Sequence, residues 1–308
     1  MATGSVEHVA VVGAGTIGAS WAAYFLSRGL RVTASDPAPA GEKFVRDFVA
    51  RAWPTLERLG LAPGARADAL AFEPDPARAV AEADFVQESG PENAELKTTL
   101  FARMDEAARP NVILSSSSSA IVPSVYQAGC RHPGRVLLGH PFNPPHLIPL
   151  VEVVGGAQTA PEAVDQAVAF YAAAGKHPIR LNKEVPGHVS NRLQSAVFRE
   201  AAYLVEQGVV DVADVDAAIA MGPGLRWAIM GPLLTFHLGG GQGGLRHLLE
   251  HIGTAHLWPH LGTPDMSPAF TDTLVAGVGD QAAGRTIDEL AADRDRKLEA
   301  ILAAVRPS

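Results

Sequence analysis

A chain of 308 residues is long enough for two domains, each with a full core. Its net charge of −8 argues against nucleic acid or an anionic membrane surface as a partner, and no run of about 18 apolar residues offers a membrane span. One cysteine, Cys130, excludes an internal disulfide; with an N-terminus lacking the basic-then-apolar pattern of a secretory signal, it leads us to expect a cytoplasmic protein.

The first half alternates strands and helices. His8 to Val12 reads as a buried strand that runs into Gly13-Ala-Gly15-Thr16-Ile17-Gly18 and then a helix over Ala19 to Arg28, closed by Gly29. In that pattern Gly13 permits a tight turn, Gly15 lets the backbone approach a pyrophosphate and Gly18 lets helix pack on strand. The helix start, with Thr16 and Ile17 between the glycines, offers amides and a positive dipole end to phosphate. A second strand, Leu30 to Ser35, ends in Asp36, placed to bond a ribose 2′-hydroxyl and to repel a 2′-phosphate, so NAD is expected rather than NADP.

A helix over Gly41 to Leu59 follows, punctuated at Trp53-Pro54, then a strand at Ala69 to Phe72, a short helix at Pro76 to Glu82 and a strand at Asp84 to Glu88. Asn93 to Ala108 reads as an amphipathic helix with Leu96, Leu100, Phe101 and Met104 inward, and Val112 to Leu114 as the next strand. The alternation predicts an α/β, mostly parallel, doubly wound sheet whose ligand lies beyond the carboxyl ends of the strands. That rim collects Glu88 to Asn93, Ser115 to Ser119 and His140. The serine run reads as a polar turn or as a hydroxyl donor to a substrate oxygen; without a Gly-x-Ser-x-Gly elbow, a serine nucleophile is not expected.

Residues 139–154, GHPFNPPHLIPLVEVV, hold the densest chemistry. An apolar strand from Arg135 ends at His140, a proline-rich turn follows, and a second apolar run over Ile148 to Val154 carries one acid, Glu152. A carboxylate there needs a partner, and a turn between two strands brings it beside His140. A His positioned by a carboxylate is a general base tuned near neutral pH; the bland reading is a His–Glu bond that closes a turn.

Thr159 to Ala174 reads as a helix capped by Thr159 and closed by Gly175, and His177 to Leu181 as a last strand. Beyond Pro186 the chain reads as helices: Gly187 to Gln207, with Val189, Leu193, Val197, Ala201 and Leu204 on one core-spaced face, Val212 to Met221, one from Pro232, and Ile287 to Val305. The boundary falls near Lys183, giving a Rossmann-type NAD-binding domain over 1–183 and an all-α domain over 184–308. His247-Leu-Leu-Glu250-His251 matches the inverzincin pattern H-x-x-E-H, with His237, His256 and His260 nearby. So short a match arises by chance and the dinucleotide fold already occupies the chain, so no metal is expected. Cys130, beside Arg131, reads as a bystander thiol.

With these residues assembled, the sequence resembles the L-3-hydroxyacyl-CoA dehydrogenase superfamily over nearly its whole length. The resemblance implies an NAD-binding domain, a helical domain that makes a homodimer, and an active site of His140 and Glu152 with Asn143 beside the histidine. It maps the family's serine to Ser118, with Ser117 and Ser119 as alternatives, its helix-borne asparagine to Asn191 of PGHVSNRL, and its cofactor contacts to Glu92 and Lys97 of PENAELK. His140-Pro141-Phe142 replaces the usual His-Phe-Phe, the arm after Asp36 is shorter and lacks a lysine run, and GPGLRWAIMG over 222–231 carries Arg226. These departures resemble the branch of lambda-crystallin, L-gulonate 3-dehydrogenase and carnitine 3-dehydrogenase. The tail beyond Gly239 is most similar to the carnitine enzymes, although those carry an acid where Asn191 stands.

The expected activity is therefore NAD-dependent oxidation of the 3-hydroxyl of a small free L-3-hydroxy acid. His140 is the base, Glu152 its orienter, Ser118 and Asn191 hydrogen-bond the hydroxyl, and Arg226 is a fork for a substrate carboxylate. The alternatives are a short-chain 3-hydroxyacyl-CoA dehydrogenase and, in another class, a non-catalytic NAD-binding or structural protein.

Overall fold

The computed structural model describes residues 6–250, 265 and 267–305. Its strands are β1 His8–Val12, β2 Arg31–Ser35, β3 Leu70–Phe72, β4 Phe85–Glu88, β5 Ile113–Ser116, β6 Val136–Pro141, β7 Leu150–Gly155 and β8 His177–Arg180. They form one sheet in the order β3-β2-β1-β4-β5-β6-β7-β8. From β3 to β6 every pairing is parallel, the order of a dinucleotide fold; β7 then runs antiparallel to β6, and β8 parallel to β7.

The central strand shows why the sheet is doubly wound. β1 is apolar at every position after His8 and buried throughout, as a strand covered on both faces must be. Val9 and Val11 face a core with Trp21, Phe25, Val45, Leu56 and Tyr171, whereas Ala10 and Val12 face one with Val80, Phe101, Met104 and Tyr126. Helices α1 Thr16–Ser27, α2 Gly41–Leu59 and α6 Pro161–Ala173 supply the first core, and α3 Pro76–Ala81, α4 Ala94–Ala107 and α5 Pro123–Tyr126 the second. The α/β fold expected from the alternation is the fold found.

Local differences have physical causes. α1 begins at Thr16 because Gly15 is its N-cap. α2 runs unbroken through Pro54, carried by the buried stripe Val45, Val49, Ala52 and Leu56 on both sides of the proline. On α4, Phe101 and Met104 are buried and Leu100 packs against the same core as expected, but Leu96 is 56% exposed, while Lys97 and Asp105 are buried because each has an ionic partner. Thr159 does not cap α6; the cap position is Ala160, and the Thr159 hydroxyl donates to the Val136 carbonyl.

The chain divides into two compact units, residues up to Asn191 and residues from Arg192. The second is helical: most of α7 Ser190–Glu206, then α8 Val212–Ala220, α9 Pro223–Trp227, α10 Pro232–Gly239, α11 Gly244–Leu248, and helices at Pro268–Ala282 and Ile287–Val305. α9 and the helix at 268–282 were not anticipated. The apolar face of α7 is no ordinary core face, since Leu193 is 59% and Val197 37% exposed. An apolar stripe reads the same in sequence whether its own chain covers it or leaves it open. Among the described residues no single helix is long and apolar enough to cross a membrane; one pair, 212–227 with 232–239, reaches that length only across an 84° bend.

Candidate active site

The glycine turn after β1 is built for a ligand. A Cβ on Gly18 would lie 1.8 Å from the Gly13 carbonyl oxygen, and one on Gly13, at φ +95°, would lie 2.6 Å from the Ser89 carbonyl carbon. Those two glycines are therefore required by the protein's own packing. A Cβ on Gly15 would meet nothing within 4 Å, so the space above it is left open. No side chain caps α1 and no acid stands in its first turn, which leaves the amide end over Thr16, Ile17 and Gly18 to an anion. Asp36, at the end of β2, accepts from the Ala14 amide at 2.8 Å and the Ala38 amide at 2.9 Å, holding the turn in place. This donor set and the opening over Gly15 fit a dinucleotide.

On the same rim, His140 of β6 stands directly opposite Glu152 of β7 in the antiparallel register. Glu152 Oε2 lies 2.9 Å from His140 Nδ1, while Oε1 accepts the amides of Val189 at 2.9 Å and Ser190 at 3.0 Å. Burial pushes the Glu152 carboxyl up, but the hydrogen bonds from His140, Ser190 and Val189 outweigh it and hold the group below its usual range. A carboxylate beside Nδ1 fixes the proton on that nitrogen and leaves the Nε2 lone pair for chemistry. His140 is 4% exposed. It is a shielded imidazole with one directed lone pair.

Each serine of the run has its own task. Ser115 bonds the Tyr171 hydroxyl at 2.8 Å, Ser116 donates to Glu88 Oε2 at 2.6 Å, and Ser117 receives Gln87 Nε2 at 2.7 Å and Trp21 Nε1 at 3.1 Å. Ser118 is buried and donates to Glu92 Oε1. Exposed Ser119 has its hydroxyl 3.3 Å from His140 Nε2. The hydroxyl beside His140 Nε2 thus belongs to Ser119, one of the two alternatives to the mapped Ser118.

Glu92 and Lys97 are separated. Glu92 Oε1 also accepts the Ala120 and Ile121 amides, so it shapes the serine loop. Lys97, 1% exposed, bonds both oxygens of Glu88 at 2.7 and 2.9 Å beneath the end of β4. Sequence reasoning gave Glu88 no role; an acid ending a buried strand was the available signal. It also passed over His188, quoted inside PGHVSNRL without a function. That ring is fully buried, its Nε2 donates to the Ser118 carbonyl at 3.0 Å, and its centroid lies 4.9 Å from that of His140. Asn191 Nδ2 reaches toward the Ser119 carbonyl at 3.4 Å. Asn143 is exposed just past β6, and Arg226 lies on α9 in the second unit. Among the described residues no group of His, Cys, Asp and Glu is placed to hold a metal ion; His251, His256 and His260 lie outside those residues.

The model of the NAD-binding domain of 3-hydroxyacyl-CoA dehydrogenase matches residues 8–185, and that of its C-terminal domain matches residues 187–275. The chain belongs to the 3-hydroxyacyl-CoA dehydrogenase family. Similar proteins include the L-carnitine dehydrogenase of Streptomyces griseus, 50% identical over 301 residues that cover 97% of this chain and 90% of that one. The L-carnitine dehydrogenase of Pseudomonas aeruginosa is 46% identical over 303 residues, 98% of this chain and 94% of its own. Among solved structures, 5-formyl-3-hydroxy-2-methylpyridine 4-carboxylic acid 5-dehydrogenase, an NAD+-dependent dismutase, superposes with a TM-score of 0.82 at 29% identity, covering 98% of this chain and 99% of that one. As a member of the 3-hydroxyacyl-CoA dehydrogenase family the protein is an NAD-dependent dehydrogenase, and the dinucleotide the glycine turn fits is NAD.

Proposed function

We propose that the protein oxidises the 3-hydroxyl of a small free L-3-hydroxy acid, L-carnitine foremost, to the 3-keto acid. The observation that carries this reading is the His140–Glu152 pair, an imidazole with its Nδ1 proton held and its Nε2 turned to the Ser119 hydroxyl, in a chain about half identical along its length to L-carnitine dehydrogenases. Bound NAD supplies the hydride acceptor. His140 Nε2 takes the hydroxyl proton, and Glu152 stabilises the imidazolium that results.

Ser119, at 3.3 Å from that nitrogen, is the serine we assign to the substrate hydroxyl, with Ser118 holding the loop from behind through Glu92. Asn191 steadies the same loop at the Ser119 carbonyl, and Asn143, exposed just past β6, is the proposed further substrate contact. Gly13, Gly15, Thr16, Ile17, Gly18 and Asp36 form the pyrophosphate turn and ribose end of the cofactor site; Glu92 and Lys97 shape its floor. Arg226 is the proposed partner of the substrate carboxylate, on its chemistry. The exposed apolar residues of the helical unit, among them Phe198, Met221, Ile229 and Leu233, support a homodimer. A cytoplasmic setting is in keeping with free Cys130, whose thiol burial pushes up to about 12.

The test is NADH production with L-carnitine, L-gulonate, 3-hydroxybutyrate and 3-hydroxybutyryl-CoA in parallel. Turnover of a free acid without turnover of the thioester is the expected result. Turnover of the thioester alone would assign the protein to acyl-CoA oxidation.

A further inference from the structure

The residues that lead into α7 and open its first turn form a bracket over the site. The amides of Val189 and Ser190 clasp Glu152, the Asn191 side chain reaches the Ser119 carbonyl, and the His188 ring bonds the Ser118 carbonyl. Four consecutive residues thereby tie the orienting acid of His140 to the loop that sets Ser119 against the Nε2 of the same histidine. The backbone turns inward at Gly187, φ +74°, and His188, φ +52°. Left-handed φ is strained for any residue with a Cβ and free for glycine, so the backbone here favours glycine while the position holds an imidazole. The ring must therefore supply something that outweighs the strain.

Its hydrogen bonding defines what that is. A carbonyl can only accept, so the bond to Ser118 places a proton on His188 Nε2. Nδ1 is buried and has no hydrogen-bond partner among the described residues. A second proton there would create a buried cation with an unsatisfied N–H beside His140, a cost larger than any gain from the more distant carboxylates. The charged and titratable groups that act on the ring are His140 on β6, Glu152 on β7 and Glu92 beside the serine loop. Burial is the largest influence and disfavours the cation, in agreement with the geometry.

We propose that His188 is a positioning residue for the dehydrogenase reaction. As a neutral ring fixed in the Nε2–H tautomer, it registers the serine loop on the start of α7. Having no acceptor for a second proton, it leaves the proton taken from the substrate on His140 alone. This rests on the assignment of His140 as the base.

Two measurements test it. In long-range ¹H–¹⁵N spectra of histidine-labelled wild-type protein, the His188 signals, identified by their loss in His188→Gln, keep the neutral Nε2–H pattern from about pH 5.5 to about pH 9. An imidazolium or Nδ1–H pattern in that range overturns the proposal. In kinetics, His188→Phe, which keeps the ring volume but removes the donor, lowers kcat by ~10-fold or more with NAD affinity unchanged within about twofold. His188→Gln, whose amide can still donate to the Ser118 carbonyl, recovers most of that loss. Wild-type kcat in His188→Phe, or equal impairment in both variants with NAD binding intact, overturns the proposal; if the Phe variant fails to bind NAD, the wild-type spectra decide. His140→Ala run alongside separates the two ideas. Full activity in His140→Ala removes the base assignment, whereas an inactive His140→Ala with unimpaired His188 variants removes only this inference.

Discussion

Glu152 and His140 face each other across the β6–β7 pair with Oε2 2.9 Å from Nδ1, and the remaining oxygen of Glu152 is taken by the first amides of the α7 region. The acid is therefore charged, desolvated and fully occupied. It cannot rotate away from the imidazole without abandoning two amides, so the histidine is presented in a single tautomer.

Replacing Glu152 by Gln tests that restraint. The amide oxygen can still accept from Val189 and Ser190, but its NH2 then faces Nδ1 and draws the proton to Nε2. Turnover should fall by ~10²–10³-fold, as when a base is held in the wrong tautomer, with NAD affinity nearly unchanged. Steady-state kinetics beside an NAD titration measure both, and a loss of less than about threefold would leave Glu152 a purely structural residue.

His140→Ala removes the proposed base. kcat should drop by ~10³-fold or more across the pH range, because general-base catalysis typically contributes 10²–10⁴. The glycine turn lies on other strands, so NAD binding followed by protein fluorescence should persist. Undiminished turnover would exclude His140 as the proton acceptor.

Gly18 and Gly15 should separate by phenotype. Gly18→Ala sets a methyl 1.8 Å from the Gly13 carbonyl and should destabilise the fold by about 2 kcal/mol or more. Gly15→Ala meets no protein atom within 4 Å and should leave the melting temperature within about 2 °C of wild type, yet weaken NAD by ~10-fold or more. Thermal melts with and without NAD read both effects. Equal NAD affinity in Gly15→Ala would mean that the open space is not where the pyrophosphate lies.

Much of this was legible in the sequence because the signals were local. The glycine spacing and the strand–turn–strand around His140 and Glu152 specify their own geometry, and the antiparallel register delivered the pairing that a turn between apolar runs implies. What stayed hidden depended on contacts far apart in the chain. Five serines in a row carry nothing to tell Ser118 from Ser119; the difference is made by Glu92, which takes the Ser118 hydroxyl 26 residues away. Lys97 on α4 was mapped with Glu92 as a cofactor contact, and its ion pair stayed hidden because Glu88, its partner, ends a strand that shows no pattern pairing it with a helix. His188 was invisible for a related reason, since its ring is turned inward by a left-handed backbone that residue identity does not announce. The open face of α7 was misread as core because periodicity reports an apolar stripe and says nothing about what covers it.

The buried Asp105–Arg135 pair sets a pH dependence of stability independent of the active site. Asp105 is 2% exposed, with Oδ1 2.8 Å from the Arg135 guanidinium and Oδ2 accepting the Arg131 and His132 amides. Burial pushes its carboxyl up, but the His132 amide and the Arg135 guanidinium, aided by the Arg131 amide, hold it below the usual carboxylate range. Glu152 is likewise held below its usual range. For a carboxyl depressed in the folded state, the stabilisation is complete above the unfolded value and is lost as pH falls through the folded one. Stability should thus be nearly level from neutrality to about pH 5 and fall steeply below about pH 4. Asp105→Asn should cost about 3 kcal/mol at pH 7, because it leaves Arg135 buried without its counter-charge. The same variant should show a shallower acid limb, so the two curves converge as pH falls through the folded-state titration of Asp105. Urea midpoints measured from neutrality into the acid limb would show the convergence, and curves that stayed parallel would mean that Asp105 carries no depressed titration.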